Sequence, residues 1–245
     1  GRGDRSSTPL IDIYKCPNCK VEEHTVFINA RATRPTRAPG HVQGTFALEG
    51  FMEELAAALG TDPLELRRRN YSTANLGQTR VPYPSKGLHK CYELGAAKIG
   101  WDKRNKKPGA GAGALKRGLG VATQIWGGAG TPGTMATVKV HPDGSVEAIC
   151  GTQDIGCGTR TFMAAVVADT LGLEPKDIIV KLGDTAYPWA PNSGGSQTAP
   201  SVAPALRDAA LKAAAGLKGL ASGKLGRPPE ELALAGGKVF DKSNP

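Results

Sequence analysis

Aromatic residues are scarce in this chain, at 5% of 245 residues, and several diagnostic patterns are missing altogether. No zinc-finger spacing, no RNP-type aromatic strand and no long Lys/Arg run is present. The net charge of +9 therefore does not mark a nucleic-acid partner. It fits a solvated surface, or a face that meets an anionic cofactor or an acidic partner subunit. The five cysteines are odd in number and unevenly spaced, which argues against a secreted disulfide scaffold. No stretch is apolar for long enough to span a bilayer, so no membrane span is expected. The start, Gly1-Arg2-Gly3-Asp4-Arg5, carries neither an initiator Met nor a signal-peptide core. It reads as the inside of a longer chain or a processed start, placed in the cytoplasm, or in the periplasm if a partner's signal exports it.

Glycine and proline are abundant, with 33 and 18 residues, against 40% hydrophobic and 22% charged residues. That mix describes a globular protein with many shaped loops. Residues 10–30 read as extended, with Val26-Phe27-Ile28 as a β-prone run. Arg34-Pro35-Thr36-Arg37-Ala38-Pro39-Gly40 is a loop, because its prolines and glycine exclude a regular element. Phe46, Leu48, Phe51, Met52, Leu55, Ala56 and Leu59 recur at helical spacing, with Gly60 closing the helix. Asp62-Pro63-Leu64-Glu65 opens a short second helix: Asp62 is its cap, Pro63 its first residue and Glu65 the reciprocal capping partner, with Asn70 at its end. Residues 88–99 form a further helix.

The Lys/Gly/Ala-rich stretch 102–119 is the expected internal boundary, between a first part (1–101) and a second part (120–245). Beyond it, Pro142-Asp143-Gly144 marks a hairpin between residues 135–141 and 146–150. A helix is expected over 159–171, a strand over 177–182, a Gly/Ser loop over 190–200 and an Ala-rich helix over 204–220. The apolar content of that last helix, with Leu206, Leu211, Leu217 and Leu220, makes it a candidate contact with another chain. The mixed order of elements favours an α+β fold.

Three stretches, in order, carry a resemblance. The first is Thr36-Arg37-Ala38-Pro39-Gly40, continuing through Gln43, Phe46, Ala47 and Glu49 to Pro63-Leu64-Glu65-Leu66-Arg67-Arg68-Arg69-Asn70. The second is Gly151-Thr152-Gln153-Asp154-Ile155-Gly156-Cys157-Gly158-Thr159-Arg160-Thr161. The third is Gly183-Asp184-Thr185 with Ser193-Gly194-Gly195-Ser196-Gln197-Thr198. Together they resemble the molybdopterin-binding large subunit of molybdenum hydroxylases, the xanthine/aldehyde oxidoreductase family. The second and third look closest to the bacterial aldehyde-oxidoreductase branch that uses molybdopterin cytosine dinucleotide.

The resemblance implies a fold, a cofactor and a set of residues. The fold is the α+β molybdenum-cofactor-binding domain. Thr36, Ala38, Gln153, Asp154, Ile155, Gly156, Cys157, Gly158, Thr159, Ser193, Gly194, Gly195, Ser196 and Gln197 would contact the pterin dinucleotide. Gly, Ser and Thr suit that task, because their main-chain N–H groups approach a ligand closely. Gly156 and Gly158 precede a helix whose free N–H groups would face an anion. Arg37 would steady substrate oxygen or developing negative charge, a role that suits a planar, permanently charged guanidinium.

Departures from the family pattern are equally informative. Cys157 stands where the family often has Gln or Thr. The family's catalytic Glu, in a Gly-x-Gly-Glu loop, is absent, as is the cofactor-binding region that precedes the Arg loop. Cys16-Pro17-Asn18-Cys19 has two readings. It is half of a metal site with His24 as a third ligand, or it is a family segment in which Pro-Asn and Val recur without the cysteines.

The implied function is hydroxylation of an aldehyde or N-heterocycle, a small-molecule substrate, with oxygen from water. Another chain of the molybdopterin subunit would supply the Glu. An iron–sulfur subunit with [2Fe-2S] clusters and a flavin subunit with FAD would carry the electrons away. The rival readings are a non-catalytic assembly subunit of such a complex and a basic nucleic-acid-binding module.

Overall fold

A computed structural model of the chain describes residues 6–31, 37–74, 81–83, 85–107 and 109–244. Its contacts divide the chain into two compact units, Gly1–Trp126 and Gly127–Pro245, so the division falls a few residues beyond the stretch 102–119. Helices and strands are mixed, and the fold is α+β.

The first unit opens with a one-turn helix, α1 (Thr8–Asp12), where an extended segment is expected. Pro9 sits in its first turn, where a missing N–H costs nothing. Val26-Phe27-Ile28 forms no strand: Phe27 is 98% exposed, and the first unit has no strand for it to pair with among the described residues. Helix α2 (His41–Ala58) begins five residues before Phe46, capped by Gly40, and ends where expected, with Leu59 as C-cap and Gly60 at φ 62°. Its buried Met52 and Ala56 pack on Ile13, Tyr14 and Leu66.

Asp62 caps α3 (Pro63–Arg69), its Oδ1 accepting from the N–H groups of Leu64 at 2.9 Å and Glu65 at 3.1 Å. The expected reciprocal bond from Glu65 is not made, because that carboxylate pairs with Arg69 at 2.9 Å, one turn on. Asp62 also accepts from Trp101 Nε1 at 3.1 Å and Arg104 Nη2 at 2.7 Å. Burial works against its charge, but these bonds outweigh it and hold the carboxyl below its usual range. Helix α4 (Leu88–Ile99) has the expected bounds and ends at Gly100 in the left-handed region.

The centre of the first unit is a charged network. Arg67 is fully buried. Its Nε and Nη2 each lie 2.8 Å from Glu49 Oε2, Nη1 lies 3.0 Å from Glu53, and Nη1 donates to Pro63 O at 2.9 Å. Tyr14 donates to the other Glu49 oxygen at 2.5 Å, and Thr123 Oγ1 lies within hydrogen-bond reach of both Tyr14 and Tyr92. Burial, reinforced by the bond to Glu49, pushes the Tyr14 hydroxyl far above its ordinary pKa.

In the second unit, β1 (Thr137–Val140) and β2 (Val146–Cys150) form the expected antiparallel hairpin. Helix α5 (Thr159–Leu171) then crosses to β3 (Ile178–Leu182), which lies parallel to β2. Helix α6 (Thr198–Leu225) packs beside α5, and Met163, Val167, Val202 and Leu206 fill the core beneath the sheet. Leu206 thus belongs to the core, whereas Leu211 and Leu220 are exposed.

Helix α6 starts six residues before Pro204 and runs through it. A proline there leaves the Pro200 carbonyl without its helical N–H. Gly130 lies against that carbonyl, where a Cβ would fall 2.8 Å from the oxygen. A last hairpin, β4 (Leu232–Ala235) and β5 (Lys238–Asp241), turns through Gly236-Gly237, both at positive φ. It locks onto the end of α5 at Gly172, which has φ 68° and accepts Gly236 N–H at 2.7 Å. A Cβ on Gly172 would fall 2.3 Å from Leu234 O.

Removing one partner of a buried ion pair strands the other charge. Arg67→Ala is therefore expected to cost about 3–5 kcal/mol of stability by urea unfolding. A loss below about 1 kcal/mol, the level of an exposed pair, would show that water reaches Glu49.

Candidate functional site

The parallel pair β2 and β3 delivers the chain twice to the same edge of the sheet, where ligands meet α/β units. The loop after β2 covers 151–158, and the loop after β3 begins at Gly183-Asp184-Thr185. They touch through the bond from Gly183 N–H to Thr152 O, 2.8 Å. A third loop, ending at Gln197, leads into α6.

Gln153 ties the first loop to the third. Its Oε1 accepts from Ser193 N–H at 2.8 Å, while its Nε2 donates to Gly151 O at 3.2 Å. Cys157 Sγ lies 3.2 Å from Thr159 Oγ1 and 3.6 Å from Ser193 Oγ, which is 3.0 Å from Thr198 Oγ1. The two Gly-rich segments thus meet in space. Thr159 and Ser193 both hydrogen-bond the Cys157 thiol and bring its pKa below the usual value. Gln197 shapes the third loop from within. Its Nε2 donates to Asn192 Oδ1 at 2.9 Å, and its Oε1 accepts from Thr131 at 3.1 Å.

Asp154 departs from the expectation for the helix start. Its carboxylate accepts from the N–H groups of Gly156 at 2.9 Å, Arg160 at 3.1 Å and Gly158 at 3.3 Å. Three of the donors around the helix start are thus taken by a side chain of the same loop. The bond from Arg160 first, then that from Gly156, holds the Asp154 carboxyl below its ordinary pKa.

Further donors lie in the third loop. The N–H groups of Gly194 and Gly195 have no partner among the described residues, and both residues are exposed. Ile155, Gly156 and Cys157 are exposed beside them. No atom lies within 4 Å of where a Cβ on Gly156, Gly158 or Gly195 would sit. Thr152 Oγ1, under the same loops, is buried without a partner. Open space, spare donors and neutral hydroxyls fit a large polar ring system with phosphates.

Arg37 and Ala38 belong to the first unit, and Thr36 lies outside the described residues. Arg37 is exposed. Ala38 has φ 54°, and its carbonyl accepts from His41 N–H at 3.0 Å as α2 begins. Among the described residues, Ala38 and Ser196 (φ 60°) alone hold positive φ without being glycine. Such strain costs about 1–2 kcal/mol per residue and concentrates at ligand sites. Each falls in a stretch that carries the resemblance. Cys16 and Cys19 are exposed. Among the described residues, no three His, Cys, Asp or Glu side chains gather as a metal site, and no helix is long and apolar enough to cross a membrane.

Several residues that build the site carry weak sequence signals. Asn192, Thr131 and Ser201 act through Gln197 and the third loop, at separations of up to 70 residues. Gly151 is needed because a Cβ there would fall 2.7 Å from Pro188 O. The Asp154 cap was legible: an Asp two residues before a Gly is a common side-chain-to-backbone turn.

Gly-rich loops, one of them strained at Ser196, follow the parallel strands of an α+β domain. The chain belongs to the molybdopterin cofactor-binding domain family of xanthine/aldehyde oxidoreductases, whose patterns match residues 94–245 and 3–71. It is 32% identical over 204 residues to the aldehyde oxidoreductase molybdenum-binding subunit PaoC of Escherichia coli O157:H7, covering 83% of this chain and 27% of that protein. It is 33% identical over 210 residues to the xanthine dehydrogenase molybdenum-binding subunit of the same organism, covering 81% and 28%. Quinoline 2-oxidoreductase from Pseudomonas putida 86 shares the fold, with TM-score 0.66 and 24% identity over 84% of this chain and 28% of that one. The chain thus spans little more than a quarter of the length of these relatives.

The depressed Asp154 pKa sets a pH dependence. Its cap is fully present above the unfolded carboxylate range, near about pH 4, and is lost as pH falls through the lower folded value. The protection of amides 155–161, taken relative to their intrinsic exchange rates, is expected to fall in that acid window in the wild type. In Asp154→Ala it should be low at every pH, and equal protection in both proteins would remove the carboxylate from the loop.

Proposed function

We propose that this chain is the cofactor-cradling part of the molybdenum-binding subunit of a molybdenum hydroxylase that oxidises an aldehyde or an N-heterocycle. The observation that carries the reading is the left-handed strain at Ala38 and Ser196, one in the Arg loop and one in the third loop. Residues 153–159 and 193–197 bind molybdopterin in its cytosine dinucleotide form. The free N–H groups of Gly194 and Gly195 and the hydroxyls of Ser193 and Thr159 supply the polar contacts, while Gln153 holds the loops in register. Asp154, Cys157 and Gln197 keep the loops in shape. The bound cofactor supplies two-electron oxidation with oxygen from water.

Arg37 steadies negative charge on the substrate, for which its exposed guanidinium on a strained turn is suited. A Glu outside residues 1–245 accepts the proton, and iron–sulfur and flavin subunits in the cytoplasm pass the electrons on.

Purification of the complex tests the reading directly. Molybdenum and a releasable cytosine nucleotide are expected in stoichiometric amounts, with aldehyde oxidation to an artificial electron acceptor, and none of these in the isolated chain. A complex with neither metal nor pterin would make this a non-catalytic assembly subunit. Arg37→Lys should keep the molybdenum content but lose about 100-fold in kcat/KM, because an ammonium lacks the planar donor set. Near-normal turnover in that variant would give Arg37 a structural role.

A further inference from the structure

A cleft of about 400 Å³ opens between the turn after α1, the start of α4 and residues 123–126, all within the first unit. Ile13, Leu88, Ile125 and Trp126 give it apolar walls. Cys91, which also lines it, is exposed, so the cleft is reached from solvent. Among its lining residues Lys86 alone carries a charge.

The chain builds a seat for that cation. Residues 71–74 and 82–83 run antiparallel, joined by the bond from Tyr83 N–H to Thr73 O at 3.1 Å. The Lys86 ammonium lies 4.6 Å from the centre of the Tyr71 ring and 4.7 Å from that of Tyr83, and it donates to Ser72 O at 2.7 Å. Tyr71 is fixed in turn: it donates to Lys86 O at 3.2 Å and stacks on His89, ring centres 3.8 Å apart. Two ring faces and a carbonyl favour the charged amine. They do not neutralise it. An ammonium has three N–H donors, and among the described residues this one makes a single hydrogen bond and no ion pair. Lys86 is half-buried, and burial lowers its pKa with no neighbouring charge to offset the loss. The start of α4, where Gly87 offers no side-chain cap, adds the positive end of a helix to the same cleft. A partly desolvated cation beside apolar walls is short of an anion.

We propose that this cleft binds a small amphipathic monocarboxylate, its carboxylate on Lys86 and an aromatic or branched apolar body against Ile13, Ile125 and Trp126. The volume of about 400 Å³ lies in the range of small-molecule sites. The apolar walls select an organic body over a bare inorganic ion, which has no surface to bury there. The ammonium selects the carboxylate over a neutral head group, because only an anion makes the charge-assisted bond. The site uses none of the residues assigned to the cofactor. Oxidation of an aldehyde yields a molecule of this class, so the cleft becomes a product sensor where the functional reading above holds; the binding itself rests on the cleft alone.

Cys91 reports occupancy of the cleft. Its alkylation by iodoacetamide in the full chain, followed by peptide mass spectrometry, is expected to slow at least about fivefold as benzoate is added, saturating with a Kd of about 1 mM or below. Cys16, Cys19 and Cys157, exposed and outside the cleft, keep their rates. Benzamide has the shape of benzoate without its charge, and is expected to bind the wild-type chain at least about tenfold more weakly. Lys86→Met keeps an apolar stem and removes the charge; it is expected to weaken benzoate by about tenfold or more, and inorganic sulfate is expected to protect neither protein. The benzamide comparison needs no variant, so it stands even where Lys86→Met fails to fold.

An alkylation rate at Cys91 that benzoate leaves unchanged overturns the proposal, as does equal protection by benzamide or by sulfate, or full benzoate protection in folded Lys86→Met. A Cys91 already closed to iodoacetamide in the purified complex, before any ligand is added, gives the cleft to a protein contact and overturns it too. The two readings fail separately. A molybdenum-loaded, active complex whose Cys91 ignores benzoate sinks the cleft alone. A chain that binds benzoate through Lys86, from a complex without molybdenum, sinks the functional reading and leaves the cleft.

Discussion

A guanidinium out of reach of water has to be neutralised atom by atom, and Arg67 imposes that requirement on the whole first unit. The desolvation cost of such a group is several kcal/mol, so its partners must be placed closely. They come from separated segments: Glu49 and Glu53 from α2, and the Pro63 carbonyl from α3 itself. Tyr14 and Thr123 extend the same network to the turn after α1 and to the segment ahead of Trp126. The register of α2 is thereby set from its middle, and with it the position of Gly40, where the Arg loop enters the helix. The polar network thus does what a larger aromatic core does in other domains, in a chain with few aromatics to spend on packing.

The second unit relies on main-chain geometry instead. Its parallel strands bring two loops together, and Gln153 and Ser193 fasten the third. Because side chains of the loops bind one another, the cradle holds its form before any ligand arrives, which lowers the ordering cost of binding. The strain at Ser196 is carried by that frame, between the paired Gln197 and the spare donors of Gly194 and Gly195.

Local chemistry made much of this legible. Gly60, Asp62 with Pro63, and the Pro142-Asp143-Gly144 turn each mark a boundary by a property of one or two residues, and the structure places boundaries there. The bounds of α4 and α5 follow from periodicity closed by glycines at positive φ. Where the reading stopped short, longer-range effects decided. Helix α6 runs through Pro204, and Gly130, distant in sequence, lies against the stranded carbonyl, where a side chain would clash. Val26-Phe27-Ile28 has strand propensity, but propensity without a ladder partner makes no strand. The final hairpin, β4 and β5, was open to prediction from Gly236-Gly237 between two short apolar runs. In the site, the Gly-rich motifs stood out, but the bonds from Asp154 to Gly156, Gly158 and Arg160 did not.

That substitution of an internal carboxylate for an outside one has a chemical consequence. A bare helix start is a general trap for oxyanions, and inorganic phosphate and sulfate are plentiful wherever proteins work. With Asp154 seated on the amides of Gly156, Gly158 and Arg160, those three donors are closed to such ions. A large ligand at these loops would therefore be selected by shape and by neutral donors, and an abundant small anion would find three fewer amides to hold it.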